Sequence, residues 1–200
     1  MLSILSCKEE VKTKATSIAK KFFIVYKEMN RMMSKEEYLR DVRSEAEELF
    51  RSGTFFCSEA VLYVINEVLG KPYNDDIVKM ASSFPIGLGK AQCLCGAISG
   101  GEMALGIVYG RNRGEPMNPK MFEYAKGLHD FIKAKYHATC CRVITKQWAG
   151  DNFASPERKA HCIRITGEVA EWVANVLIDD EKLHISEKCD FSTATFKVAQ

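Results

Sequence analysis

Charge of one sign is what this chain most clearly lacks: 28 Lys and Arg stand against 26 Asp and Glu, a formal charge of +2 over 200 residues. So even a balance leaves no electrostatic footprint for a nucleic-acid partner, and no aromatic RNA-binding stretch or zinc-finger spacing accompanies it. Long apolar runs are also absent. None approaches the roughly 20 residues that a transmembrane segment requires. The opening MLSILSCKEE has neither the basic start nor the apolar length of a secretory signal. Cys7 after Leu5-Ser6 reads as an ordinary cysteine near a chain end. The expected location is cytoplasmic.

Other motifs are missing too. There is no CxxCH, so c-type haem attachment is not expected. There is no HExxH, Ser-His-Asp set or Walker lysine pattern, and the GxG of Gly87 and Gly89 in FPIGLGK lacks the third glycine of a dinucleotide fingerprint. Nothing argues for a hydrolase or transferase, and whether the protein is an enzyme stays open. Glu59 and Glu102, in early helical turns, read as structural carboxylates that favour the helix dipole.

Against these absences stand eight cysteines: Cys7, Cys57, Cys93, Cys95, Cys140, Cys141, Cys162 and Cys189. A reducing cytosol argues against a disulfide framework, and a chain of this length does not need one. Metal, cluster or redox chemistry is the leading account.

The hydrophobic pattern is helical nearly throughout, with no βαβ alternation and no internal repeat. The fold class is therefore all-α, a helical bundle of about six to eight helices. Val11, Ala15, Ile18, Phe22, Val25, Met29 and Met32 trace a heptad seam. Residues 1–33 read as an amphipathic helical extension, through which two copies could form a homodimer. Residues 34–180 form the cysteine-bearing helical domain and 181–200 an irregular tail. Ser34 with Glu37 predicts a capping box, and Asn118-Pro119 and Ser155-Pro156 predict helix starts. Further helices are expected from about Cys57 to Gly70, from about Cys95 to Tyr109, and briefly from Cys140-Cys141. The helix after Asn118 is expected to bury Phe122, Ala125, Leu128, Ile132 and Tyr136. The last long helix should carry Cys162, Ile165, Val169, Trp172 and Val176 on one face.

Cys57, Cys95 and Cys141 fall at helix starts and Cys162 in a second turn. Helix N-termini carry partial positive charge and unpaired N–H groups, which favour a thiolate. Four helices could thus bring four thiolates to one buried point. In AQCLCGAISGGEMALG, residues 91–106, Gly96, Gly100 and Ala104 recur every four residues, which lets a neighbouring backbone approach closely. Gly96 beside Cys95 leaves its N–H available to whatever the sulfur binds. Cys93 and Cys140 are second-line candidates for the site.

At these residues the chain resembles the C_GCAxxG_C_C family, named for four cysteines, one of which opens a CGAxxG core. Here the core is Cys95-Gly96-Ala97-Ile98-Ser99-Gly100. Cys57 in CSEAVL resembles the first family cysteine, Cys141 in CRVIT the third and Cys162 the fourth. The resemblance implies redox activity. The cysteine-bearing region is also similar to the non-haem part of split-Soret cytochromes, where the cysteines hold an iron–sulfur cluster. It thus implies a [2Fe–2S] or [4Fe–4S] cluster on Cys57, Cys95, Cys141 and Cys162, serving electron transfer with an unidentified redox partner. One alternative is a structural Zn(Cys)4 site, although the chain has no close CxxC pair of the kind zinc sites favour. The other is a thiol–disulfide protein working through Cys140-Cys141 and Cys93/Cys95. His137 and His161 read as surface or packing histidines.

Overall fold

A computed structural model of the chain describes residues 33–185, of which those from Ser34 onward belong to one unit. The extension expected over 1–33, Cys7, Cys189 and most of the expected tail lie outside the described residues. Within them are six α-helices: α1 (Lys35–Ser52), α2 (Cys57–Val68), α3 (Gly96–Tyr109), α4 (Pro119–Tyr136), α5 (Cys141–Ile144) and α6 (Pro156–Asp179). Three 3-10 segments, Asp75–Ala81, Lys146–Trp148 and Gly150–Ala154, join them, and there are no strands among the described residues. The all-α expectation holds.

Local chemistry sets the helix starts. At α1, Ser34 accepts from the Glu37 N–H and Glu37 reaches back to the Ser34 N–H, a full capping box, and Gly53 closes the helix in the left-handed conformation. Asn118 and Ser155 cap α4 and α6, each with proline in the first turn. Glu59 secures the start of α2 by accepting from the Phe56 N–H at 2.8 Å and the Ser82 hydroxyl at 2.6 Å.

Apolar side chains surround α2 on every side, so it becomes the central element. Of its first ten residues, Ser58 and Ala60 through Asn66 are buried. It packs against α1, α3 and α6, while α1 lies along α6 and α4 covers α3. The core joins Val42 and Ala46 of α1, Val61 and Val64 of α2, Leu105 of α3, Leu128 and Ile132 of α4, and Val169 and Val173 of α6. Buried Glu168 ties three helices together, accepting from the Tyr136 hydroxyl at 2.7 Å with Lys135 at 3.0 Å and Arg43 at 3.7 Å.

Two packing expectations need correction. Phe122 is 66% exposed rather than buried. A helix advances about 100° per residue, which puts position 122 about 100° away from the Leu128–Ile132 face. On α6 the buried stripe is centred on Val169, Val173, Ala174 and Leu177, leaving Trp172 and Val176 at its margin. Trp172 stacks instead on Phe131, with ring centroids 6.2 Å apart.

At Glu102 on α3 burial is the dominant influence: it pushes the carboxyl up to about 7. In the unfolded chain it ionises near the ordinary value of about 4.3. Between these pH values the folded state holds a proton that the unfolded state has released, so stability falls as pH rises through the window. Glu102→Gln should therefore raise stability at pH 8 by about 1–2 kcal/mol, after allowing for residual solvent, and leave it unchanged at pH 4. Thermal melts at both pH values check this.

Candidate functional site: four thiols around one pocket

The start of α2 meets the start of α3 more closely than ordinary helices can. A Cβ placed on Gly100 would lie 2.4 Å from the Ser58 carbonyl oxygen, and one on Gly96 would lie 2.6 Å from the Cys57 sulfur and 3.0 Å from the Phe84 carbonyl oxygen. Only glycine permits this contact. It sets Cys57, the first residue of α2, beside Cys95, the N-cap of α3.

Backbone bonds bring the third cysteine to the same place. The Cys95 N–H donates to the Thr139 carbonyl at 2.8 Å. From the other side, the Arg142 N–H donates to the Gln92 carbonyl at 3.0 Å and its guanidinium to the Ala91 carbonyl at 3.2 Å. The segment that opens α5 is thus clamped to the segment that opens α3, and Cys141 faces the pocket. Cys162 arrives from α6. One pocket is lined by all four of Cys57, Cys95, Cys141 and Cys162, with Gly96 at its wall. Its remaining walls are mostly apolar, from Phe50, Phe56, Ile86, Ile144 and Ile165.

Cys95 and Cys141 are buried, 9% and 6% exposed, while Cys57 and Cys162 keep partial exposure. Burial pushes the Cys57 thiol up to about 12, with the neighbouring Cys162 adding to the effect. Burial likewise raises Cys95 well above the thiol range and Cys162 to about 11, and it raises Cys141. The helix-start N–H groups act toward the thiolate, as expected, but burial outweighs them until a metal binds. A terminal dipole is worth about 0.3–1 kcal/mol, too little to offset the removal of four neighbouring sulfurs from water. Bonds to sulfur from the Ile86 and Ser58 N–H groups at Cys57, and from the Ala97 N–H at Cys95, act in the stabilising direction without prevailing.

The Ile86 donor comes from an unusual loop. Residues 86–90 all have positive φ: Ile86 57°, Gly87 68°, Leu88 50°, Gly89 58° and Lys90 74°. A left-handed conformation costs a non-glycine residue about 1–3 kcal/mol, and for β-branched Ile86 it is a genuine outlier. Bonds from Leu88 N–H to the Phe84 carbonyl and from Gln92 N–H to the Ile86 carbonyl hold the turn. From sequence the stretch read as a loop with a weak phosphate signal. In the structure it forms the wall beside Cys57.

Arg158, a residue the sequence reading passed over, also lines the pocket. Its guanidinium lies 3.8 Å from the centre of the Phe153 ring. Its positive charge draws the Cys141 and Cys162 thiols downward, against burial. The one available signal was spacing: Arg158 precedes Cys162 by one helical turn on the same face.

The other candidates lie elsewhere. Cys93 is exposed and Cys140 half-buried, and neither lines the pocket. His161 lies against Trp148 and Tyr136, and His137 ends α4 in a left-handed conformation. Among the described residues, no three His, Cys, Asp or Glu side chains form a set that could hold a single metal ion. All four sulfurs line the same pocket.

Two glycines of α3 give a contrast that checks this geometry. Gly96→Ala should destabilise the protein by about 1–3 kcal/mol, because its methyl meets the Cys57 sulfur and backbone. Gly106→Ala, with nothing within 4 Å, should stabilise it by about 0.5–1 kcal/mol. Denaturant unfolding of both variants measures the difference.

A family model described as "Putative redox-active protein (C_GCAxxG_C_C)" matches residues 55–176, a span that contains all four pocket cysteines. No curated protein and no solved structure matches the chain. With more than half of its length matched, the chain belongs to the C_GCAxxG_C_C redox-active family.

Proposed function

We propose that this protein transfers electrons through an iron–sulfur cluster held by Cys57, Cys95, Cys141 and Cys162. The observation that carries the reading is the arrival of four thiols, from four separate elements, at one largely apolar pocket. The donor set fits the group. Four cysteine thiolates ligate either a [2Fe–2S] or a [4Fe–4S] cluster, and such a cluster supplies reversible one-electron chemistry when bound. Gly96 keeps the wall thin beside Cys57, and N–H groups of Ser58, Ile86 and Ala97 are already directed at sulfur, the kind of contact that tunes a cluster.

Zinc suits the pocket less well. Tetrahedral zinc usually draws its thiolates as close CxxC pairs, and this chain has none. A thiol–disulfide role also fits less well. Exchange needs accessible thiolates, and burial opposes ionisation at all four positions. Cationic metal reverses that opposition, replacing the protons as it binds. Phe56 lines the pocket and is 53% exposed, which makes the pocket's rim the natural approach for a redox partner.

Protein purified without oxygen should be brown and contain equal amounts of iron and sulfide. Cys95→Ala should lose both, whereas Cys93→Ala and Cys140→Ala should keep them. Zinc at one per chain, or iron that survives Cys95→Ala, would overturn the proposal.

A further inference from the structure

Arg158 poses a problem of charge. It stands on the first turn of α6, where its N–H donates to the capping Ser155 hydroxyl at 3.2 Å. Its side chain turns into the four-cysteine pocket. The Nε atom is fully buried and has no hydrogen-bond partner. Among the described residues no carboxylate pairs with it, although Arg43, Arg51 and Arg164 all have such partners. A cation beside an apolar pocket is costly unless a negative charge meets it. The pocket that Arg158 lines offers thiols, aromatic and aliphatic side chains and the Thr145 hydroxyl, with no carboxylate among them. Phe153 holds the guanidinium by its face, which orients the fork without neutralising it.

The missing charge matches the proposed cofactor. Iron–sulfur clusters on four thiolates are anionic, and their potentials respond to net charge and to hydrogen bonds on sulfur. A guanidinium offers both, and its effect is greatest on the more negative, reduced state.

We propose that Arg158 is the charge-compensating residue of the site: it lies against the Cys141 and Cys162 sulfurs, donates to the sulfur side of the bound cluster, and stabilises its one-electron-reduced form. This inference rests on the function proposed above. In the step concerned, one electron passes from an external low-potential donor to the cluster. No bond is made or broken in the protein, and Arg158 keeps its proton throughout. Arg158 acts on the cofactor directly, and Phe153 is the positioning residue that orients its guanidinium.

The test is an anaerobic spectroelectrochemical titration of loaded wild type, Arg158→Gln and Arg158→Lys, with iron and sulfide measured on each. Arg158→Gln should keep its iron and sulfide but show a midpoint potential shifted to more negative values. Arg158→Lys, which keeps the charge but loses the planar fork, should fall between wild type and Arg158→Gln. Fully loaded Arg158→Gln with the wild-type midpoint would overturn the inference and leave the cluster reading standing. Failure of both variants to load would make Arg158 a folding or assembly residue and also overturn it. Wild type that binds no iron would bring down the cluster reading, and this inference with it.

Discussion

The contact between the first turns of α2 and α3 is the constraint on which the site depends. Gly96 and Gly100 face Cys57 and Ser58 with no room for a methyl group. That closeness sets Cys57 beside Cys95 and lets the neighbouring loops reach the same pocket. Ser58 is bound twice over, by Gly100 across its backbone and by its hydroxyl donating to the Ala81 carbonyl at 2.9 Å. The helices further along the bundle are joined by ordinary apolar packing, which tolerates small shifts. This corner is backbone against backbone, where a shift of a few tenths of an ångström meets hard contact.

A second feature is the tension between burial and charge. The pocket withdraws four thiols from water, surrounds them with Phe and Ile side chains, and adds an arginine with no carboxylate partner. Taken alone each of these is unfavourable. They become mutually supportive once a charged inorganic group sits among them, because thiolates, guanidinium and directed N–H groups then have partners. The strained left-handed turn at 86–90 fits the same logic. It brings the Ile86 N–H to the Cys57 sulfur. Local strain that persists in a structure is held there by its surroundings, and it concentrates at sites of function.

Much of this architecture was legible in the sequence because it is local. Ser34 with Glu37, Asn118-Pro119 and Ser155-Pro156 mark helix starts through bonds that span three residues or fewer, and each stands where the pattern put it. The cysteine positions at helix starts could be read for the same reason, as could the small-residue face of α3. What escaped was tertiary. Phe122 matched a loose apolar pattern but lies off the face fixed by Leu128 and Ile132. The ionisation of the thiols depends on how many sulfurs and apolar walls meet, which a dipole argument made one helix at a time does not count. Arg158 looked like any solvated charge in a first helical turn, since its enclosure comes from Phe153 and from cysteines on two helices. The left-handed course of FPIGLGK was hidden because Ile86, Leu88 and Lys90 have no intrinsic preference for it.

The central claim is that the four sulfurs surround a polynuclear inorganic group and not a single ion. Iron K-edge X-ray absorption on protein loaded without oxygen tests it most directly. The account predicts a first shell of sulfur alone and a second shell of neighbouring iron. An isolated metal with no iron neighbour, or a first shell built from nitrogen and oxygen, would contradict it.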